Sequence, residues 1–249
     1  MTSASEMYMQ ACDIISAATE RDLIVRMMGG VAFYHHFHRP DRDRDFRPIG
    51  DIDVVGYSRD LSLIDSIAQD LGWVANKEFN FTQSPFRLMY TRDSRRLDVM
   101  LDEFNMSHRL DLRERLPLAS PTLPLSDLLL TKLQIAQPAQ KDMFDIVVLL
   151  DGHDIVENSV AEECIDLNRI MDVCRTDWGF WRTVTSNLTC AQEFIKTDNA
   201  VAVSPSFKRK VEELYQALIA SPKTLQWKMR ALLGERIRWY NVPEEEVLD

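Results

Sequence analysis

Apolar positions along the chain fall first into a helical period, then into an alternating one, and then back into a helical one. Over residues 5–20, Met7, Ile14, Ile15 and Ala18 recur at helical spacing behind Ser3 or Ser5, which predicts an opening amphipathic helix with a serine cap. Residues 23–28 form a short apolar run that stops at Gly29 and Gly30, and the stretch VAFYHHF after them suits a short helix. Residues 51–57 predict a second strand, and residues 58–72 a helix with Leu61, Ile64, Ile67, Ala68 and Leu71 on one face and Gly72 as its stop. From Trp73 the period drops to two, which predicts short strands over 79–82, 86–91 and 97–101. Arg92, Asp93, Ser94 and Arg95 supply the polar turn between the last two.

Beyond residue 104 the alternation fades. Residues 118–123 suggest an edge strand because Pro121 cannot donate to a sheet ladder. Helical spacing returns over 125–135, ends before Pro138, and resumes over 141–150 up to Asp151 and Gly152. Four further amphipathic stretches, 156–174, 178–197, 205–220 and 222–240, predict an all-helical region in which Trp178, Trp181 and Trp227 anchor the core. Ser204-Pro205 and Ser221-Pro222 resemble helix starts with proline in the first turn. The expected architecture is therefore α/β plus α. A small mixed β-sheet with flanking helices occupies residues 1–152, and a helical C-terminal region occupies 153–249.

Composition narrows the class of protein. The chain has 249 residues, 45% of them hydrophobic, enough to bury a sizeable core. Its formal net charge of -10 argues against general DNA binding, because phosphate backbones require compensating lysine and arginine. The four cysteines, Cys12, Cys164, Cys174 and Cys190, show no paired spacing, so reduced thiols are expected. The N-terminus lacks a basic start, and no apolar run reaches the roughly eighteen residues of a membrane span. A cytoplasmic protein without a membrane segment is expected.

The chemistry concentrates in residues 27–55, MMGGVAFYHHFHRPDRDRDFRPIGDIDVV. Glycines let the backbone turn sharply and approach a ligand, and a helix N-terminus behind them leaves amide N–H groups free for phosphate oxygens. In Asp51-Ile52-Asp53 the period of two puts both carboxylates on one strand face, with α-carbons about 7 Å apart. Two carboxylates that close favour a bound divalent cation or one raised pKa. A third carboxylate, Asp98, lies within the apolar strand over 97–101, where burying it without a partner would be costly.

Gly29-Gly30 at a strand end, Asp51-Ile52-Asp53 on the next strand and Asp98 on a later one resemble the signature of the nucleotidyltransferase superfamily, whose sheet is like that of DNA polymerase β. The run is most similar to the AbiEii-like (abortive-infection toxin) branch. There an arginine and a small residue precede the Asp-x-Asp, as Arg47 and Gly50 do here, and a stretch like DLLLTKL…KDMFDI follows the sheet. The spacing of Gly30 from Asp51 is longer than usual in that group, the excess lying in the loop 38–46. The resemblance covers roughly residues 20–152.

The resemblance implies a metal-dependent enzyme that moves a nucleoside monophosphate from an NTP such as ATP to an acceptor hydroxyl. It implies two Mg²⁺ ions held by Asp51, Asp53 and Asp98, with Asp98 helping to remove the acceptor proton. Gly29 and Gly30 would hold the triphosphate, assisted by Arg47 and Lys132. The acceptor could be a small molecule, a tRNA or a protein. The alternatives are a catalytically silent scaffold that binds nucleotide or a partner, and the toxin of a toxin–antitoxin pair with an antitoxin partner. His35, His36 and His38 are expected to be core or surface residues rather than zinc ligands, since no cysteine completes a tetrahedral set. By the same resemblance Lys141 is a second candidate for the nucleotide phosphates, the alternative being a solvated ion-pair face of Lys141, Asp142 and Asp145. No nucleophile elbow, dinucleotide-binding loop or Walker loop is present.

Overall fold

The structure, a computed structural model, describes residues 3–37, 46–158, 163–197 and 203–242. The mixed-charge loop and His38, and the acidic tail, lie outside the described residues. The chain divides into two compact units, Met1–Phe104 with Leu110–Pro124, and Asn105–Arg109 with Leu125–Asp249. Each is described in turn.

The first unit opens with α1 (Ala4–Thr19), capped reciprocally by Ser3 and Glu6, which together satisfy two of the helix's orphan amides. Its buried face is Met7, Ala11, Ile14, Ile15 and Ala18. There follow β1 (Arg26–Met28), α2 (Gly29–Phe37), β2 (Asp51–Gly56), α3 (Leu61–Asp70), β3 (Val74–Ala75), α4 (Lys77–Gln83), β4 (Arg87–Arg92) and β5 (Arg95–Leu101). The strands form one sheet in the order β1-β2-β5-β4-β3. Only β2 and β5 run parallel; the other neighbours are antiparallel. Residues 121–123 run beside β1, Thr122 bridging Met27, in place of the full edge strand expected there.

One face of the sheet is apolar and sealed. Ile52, Val54, Leu97, Val99, Leu88 and Tyr90 are at most 3% exposed. The Tyr90 hydroxyl donates to Asp65 of α3, which places that helix over this face. Alternation therefore sends Asp51, Asp53, Arg96 and Asp98 to the other face.

The β4–β5 turn is as expected: Asp93 and Ser94 both take positive φ, as the tight hairpin that matches strand twist requires. The strand expected over 79–82 is instead part of α4. Asn76 accepts a hydrogen bond from the Phe79 amide and so nucleates a helical turn, and Phe81 is left 87% exposed rather than packed in a sheet. The Phe-Asn-Phe-Thr alternation satisfies a strand pattern without a second strand to pair with.

A two-stranded ribbon, β6 (Glu103–Asn105) and β7 (Arg109–Asp111), lies where the chain passes between the units. The second unit contains α5 (Leu125–Leu133), α6 (Gln140–Gly152), a short parallel pair β8 (Ile155–Val156) and β9 (Ile165–Asp166), then α7 (Leu167–Thr176), α8 (Trp178–Thr197), α9 (Phe207–Ala220) and α10 (Leu225–Leu233). Helices α5 and α6, grouped with the sheet on sequence grounds, fall here among α7, α8 and α9 because their buried leucine and valine positions run nearly all round.

The helix expected from residue 156 begins only at Leu167, where Asp166 caps the Asn168 amide. Pro205 and Pro222 precede their helices rather than open them; Thr224, not Ser221, caps α10 through the Trp227 amide. Trp178 is buried, whereas Trp181 and Trp227 are half-buried and pack edge to face with centroids 5.2 Å apart.

His108 is buried in the second unit. Its Nε2 lies 2.8 Å from the Thr183 hydroxyl, which also accepts from the Trp239 indole at 3.1 Å, and its ring packs against Phe180. With the hydroxyl already accepting from the indole, Thr183 is free to donate, which suits a neutral imidazole. Burial holds the ring down to about 4 from the usual 6.5. Because the folded value is depressed, the unfolded chain binds the proton first as pH falls. This stabilisation is fully present above about pH 6.5 and drains away towards pH 4, by up to about 3 kcal/mol. Urea denaturation from pH 7 to 4 should therefore show a steeper loss for the wild type than for His108→Gln, whose amide still reaches Thr183 but does not titrate.

Candidate metal and nucleotide site

The parallel pairing of β2 with β5 builds the site. Its register sets Asp53 opposite Asp98 and Asp51 opposite Arg96. Directly paired residues project to the same side, so all four side chains share the open face of the sheet. One oxygen from each of Asp51, Asp53 and Asp98 lies within 4.8 Å of the others, and among the described residues this is the one such metal-competent group. Asp51 and Asp53 are partly exposed; Asp98 is fully buried.

Met28 pairs with Asp53, which brings the end of β1 and the start of α2 beside the same carboxylate. Gly29 takes φ +57, and a Cβ there would lie 1.9 Å from Asp53 Oδ2. No other residue allows the chain to turn there and let Asp53 lie against the backbone. The N-terminal end of α2, whose first amides have no partner within the helix and which carries the positive dipole end, thus abuts the carboxylate cluster. A Cβ on Gly30 would approach Ile49 Cγ2 at 3.1 Å and Arg47 Nη2 at 3.5 Å, so Arg47 flanks the same turn. Gly29, Gly30, Arg47, Asp51, Asp53 and Asp98 are one neighbourhood.

Two arginines not anticipated from the sequence belong to it. Arg87 on β4 donates from Nε to Asp98 Oδ1 at 3.1 Å, with Nη2 at 3.0 Å. Arg96 joins two of the aspartates, Nη2 to Asp51 Oδ2 at 2.8 Å and Nε to Asp98 Oδ2 at 2.7 Å. The second contact is an ion pair without hydrogen-bond alignment, and Asp98 Oδ2 is a buried oxygen that accepts no hydrogen bond. Burial raises the Asp98 pKa above the usual carboxylate range, the two arginines oppose that, and Asp51 adds to it. Arg96 was legible in principle: it alternates with Asp98 as Asp51 does with Asp53. Arg87 required the β4–β5 register.

The remaining candidates have partners of their own. Lys132, in the second unit, pairs with Asp142 at 2.7 Å and Asp145 at 3.1 Å. Asp142 and Asp145 are buried and only Lys141 is exposed, so the solvated ion-pair face expected there does not form. His35 Nδ1 lies 2.7 Å from the Tyr8 hydroxyl and His36 Nε2 lies 2.9 Å from Thr122 Oγ1.

No protein-family model matches the chain, and no curated protein sequence does. Two solved structures are similar in part. One is a crystal structure of ANT(2″)-Ia in complex with adenylyl-2″-tobramycin, with 12% identity and a TM-score of 0.41 over 57% of this chain and 86% of that one. The other is a solution structure of the antibiotic-resistance factor ANT(2″)-Ia, with 12% identity and a TM-score of 0.42 over 58% of this chain and 83% of that one. Likeness at this level carries no functional argument, and the reading of the site rests on its own geometry.

The tight contact at Gly29 makes a direct prediction. Gly29→Ala should cost at least about 2 kcal/mol in chemical denaturation, through the strained φ and the displaced Asp53. Gly50→Ala, where nothing lies within 4 Å of the added carbon, should stay within about 0.5 kcal/mol. Equal effects at the two positions would contradict the packing of Asp53 on Gly29.

Proposed function

We propose that the chain is a metal-dependent nucleotidyltransferase, transferring a nucleoside monophosphate from an NTP to an acceptor hydroxyl. The observation that carries this is the convergence of Asp51, Asp53 and Asp98 within 4.8 Å beside the glycine turn at the start of a helix. An all-carboxylate donor set, with a buried Asp98 oxygen that meets a cation but accepts no hydrogen bond, fits a hard divalent cation, Mg²⁺ above all. When bound, such ions lower the pKa of an attacking hydroxyl and neutralise a departing pyrophosphate.

The chain's own residues have separable parts in this reading. Asp51 and Asp53, partly exposed, hold the cation from one strand. Asp98, ion-paired with Arg87 and Arg96 and made more basic by its burial, receives the acceptor proton. The acceptor oxygen bonds to the α-phosphorus as the bond to the bridging oxygen breaks and pyrophosphate leaves. The Gly29 and Gly30 amides receive phosphate oxygens, with the Arg47 guanidinium beside them. Lys132 has less to offer an anion, since Asp142 and Asp145 already meet its charge. The net charge of -10 favours a small-molecule or protein acceptor over tRNA. No helix among the described residues is long and apolar enough to cross a membrane.

A second reading has a specific observation behind it. Arg87 and Arg96 both engage Asp98, as they would in a scaffold that binds nucleotide without turning it over, alone or as a toxin-like protein held by an antitoxin partner. Turnover separates the two. Incubation with Mg²⁺, α-phosphate-labelled NTPs and cell extract should transfer label to an acceptor, and Asp51→Asn and Asp53→Asn should reduce transfer at least about 100-fold. In thermal-shift assays Mg²⁺ with ATP or GTP should stabilise the wild type, by about 2.7 kcal/mol at a hundredfold excess over Kd. Nucleotide stabilisation that persists in chelator would overturn the metal site, and stabilisation without any transfer would favour the silent scaffold.

A further inference from the structure

Asp98 already has cationic partners on both oxygens. Arg87 meets Oδ1, while Arg96 meets Oδ2 and reaches across to Asp51. Arg87 and Arg96 offset two of the three carboxylate charges, and the Arg47 guanidinium lies beside the same glycine turn. A lone divalent cation entering this cluster would leave it net positive, at a site whose buried carboxylate magnifies the repulsion of the two arginines. A triphosphate arriving with the cation brings the site back to a negative charge and offers the planar guanidinium forks phosphate oxygens that can accept in pairs.

The side chains are placed to make that exchange. Arg96 is 37% exposed and Arg87 25%, while Asp98 between them is 0% exposed. Arg96 also holds Asp98 Oδ2 without hydrogen-bond alignment, so it gives up charge proximity rather than a well-formed fork when it leaves. A purely structural pair would be expected to seat its fork on one carboxylate, whereas Arg96 divides its fork between two of the three proposed ligands.

We propose that Arg96, seconded by Arg87, is a resident counter-cation that makes occupancy of the carboxylate site by a divalent cation conditional on nucleotide. Without nucleotide, Arg96 bridges Asp51 and Asp98. With nucleotide, its guanidinium transfers to the triphosphate and frees the two carboxylates. This rests on the functional reading above and concerns the regulation of the same site.

The test is calorimetry on the full chain, with Mn²⁺ alone and with Mn²⁺ plus a non-hydrolysable ATP analogue, folding being checked by circular dichroism. The wild type should bind Mn²⁺ alone weakly and at least about tenfold more tightly with the analogue. Arg96→Gln should tighten binding of Mn²⁺ alone about tenfold and shrink the analogue's effect to about threefold or less. Arg87→Gln, which leaves the bridge to Asp51 intact, should shift binding in the same direction by a smaller factor, and it decides the matter if Arg96→Gln does not fold. Mn²⁺ binding in both variants that equals or falls below the wild type's would overturn the inference while leaving the functional reading in place. A wild type that binds no Mn²⁺ even with the analogue would overturn both.

Discussion

Three carboxylates held within 4.8 Å repel one another, and the sheet of the first unit is organised by the need to hold them there. Asp98 bears the largest part of that cost because it has no exposure to water. Its compensation comes from arginines on its own strand and on β4. The parallel β2–β5 register and the left-handed turn at Gly29 serve the same end: one aligns Asp53 with Asp98, the other brings the positive end of α2 against Asp53. A shift of one residue in that register would turn these side chains into the apolar face formed by Ile52, Leu97 and Val99. The same packing that seals the core therefore fixes the geometry of the site.

Much of this was legible in the sequence because it depends on short-range periodicity. A period of two put Asp51 and Asp53 on one face, and the apolar neighbours of Asp98 marked it as a carboxylate with an unusual environment. The glycine pair marked the turn. What the sequence withheld depends on pairing partners. Arg87 reaches Asp98 only because β4 and β5 pair as they do. The stretch over 79–82 alternates like a strand, yet Asn76 caps it into a helix. Arginine's long side chain also lets its charge reach inside the cluster from a partly exposed position, which no periodicity records.

The second unit shows how buried charge misleads a reading made from pattern alone. Asp127 is fully buried on α5 and accepts from Arg169 Nε at 2.8 Å, and Lys132 is enclosed with Asp142 and Asp145. Asn187 donates to the Leu133 and Ile135 carbonyls at 2.9 and 2.7 Å, satisfying the C-terminal end of α5. Amphipathic spacing identified these helices, but which polar residues turn inward is set by partners on other helices. Buried pairs of this kind add little net stability while penalising arrangements that separate them.

The central claim is that the carboxylate cluster is a divalent-cation site, and anomalous diffraction at the manganese edge tests it most directly. Crystals grown with Mn²⁺ and a non-hydrolysable ATP analogue should show an anomalous peak about 2.1 Å from carboxylate oxygens of Asp51 and Asp53, with Asp98 drawn towards it. A well-ordered nucleotide with no anomalous density at these three residues, or with manganese bound elsewhere, would contradict the account.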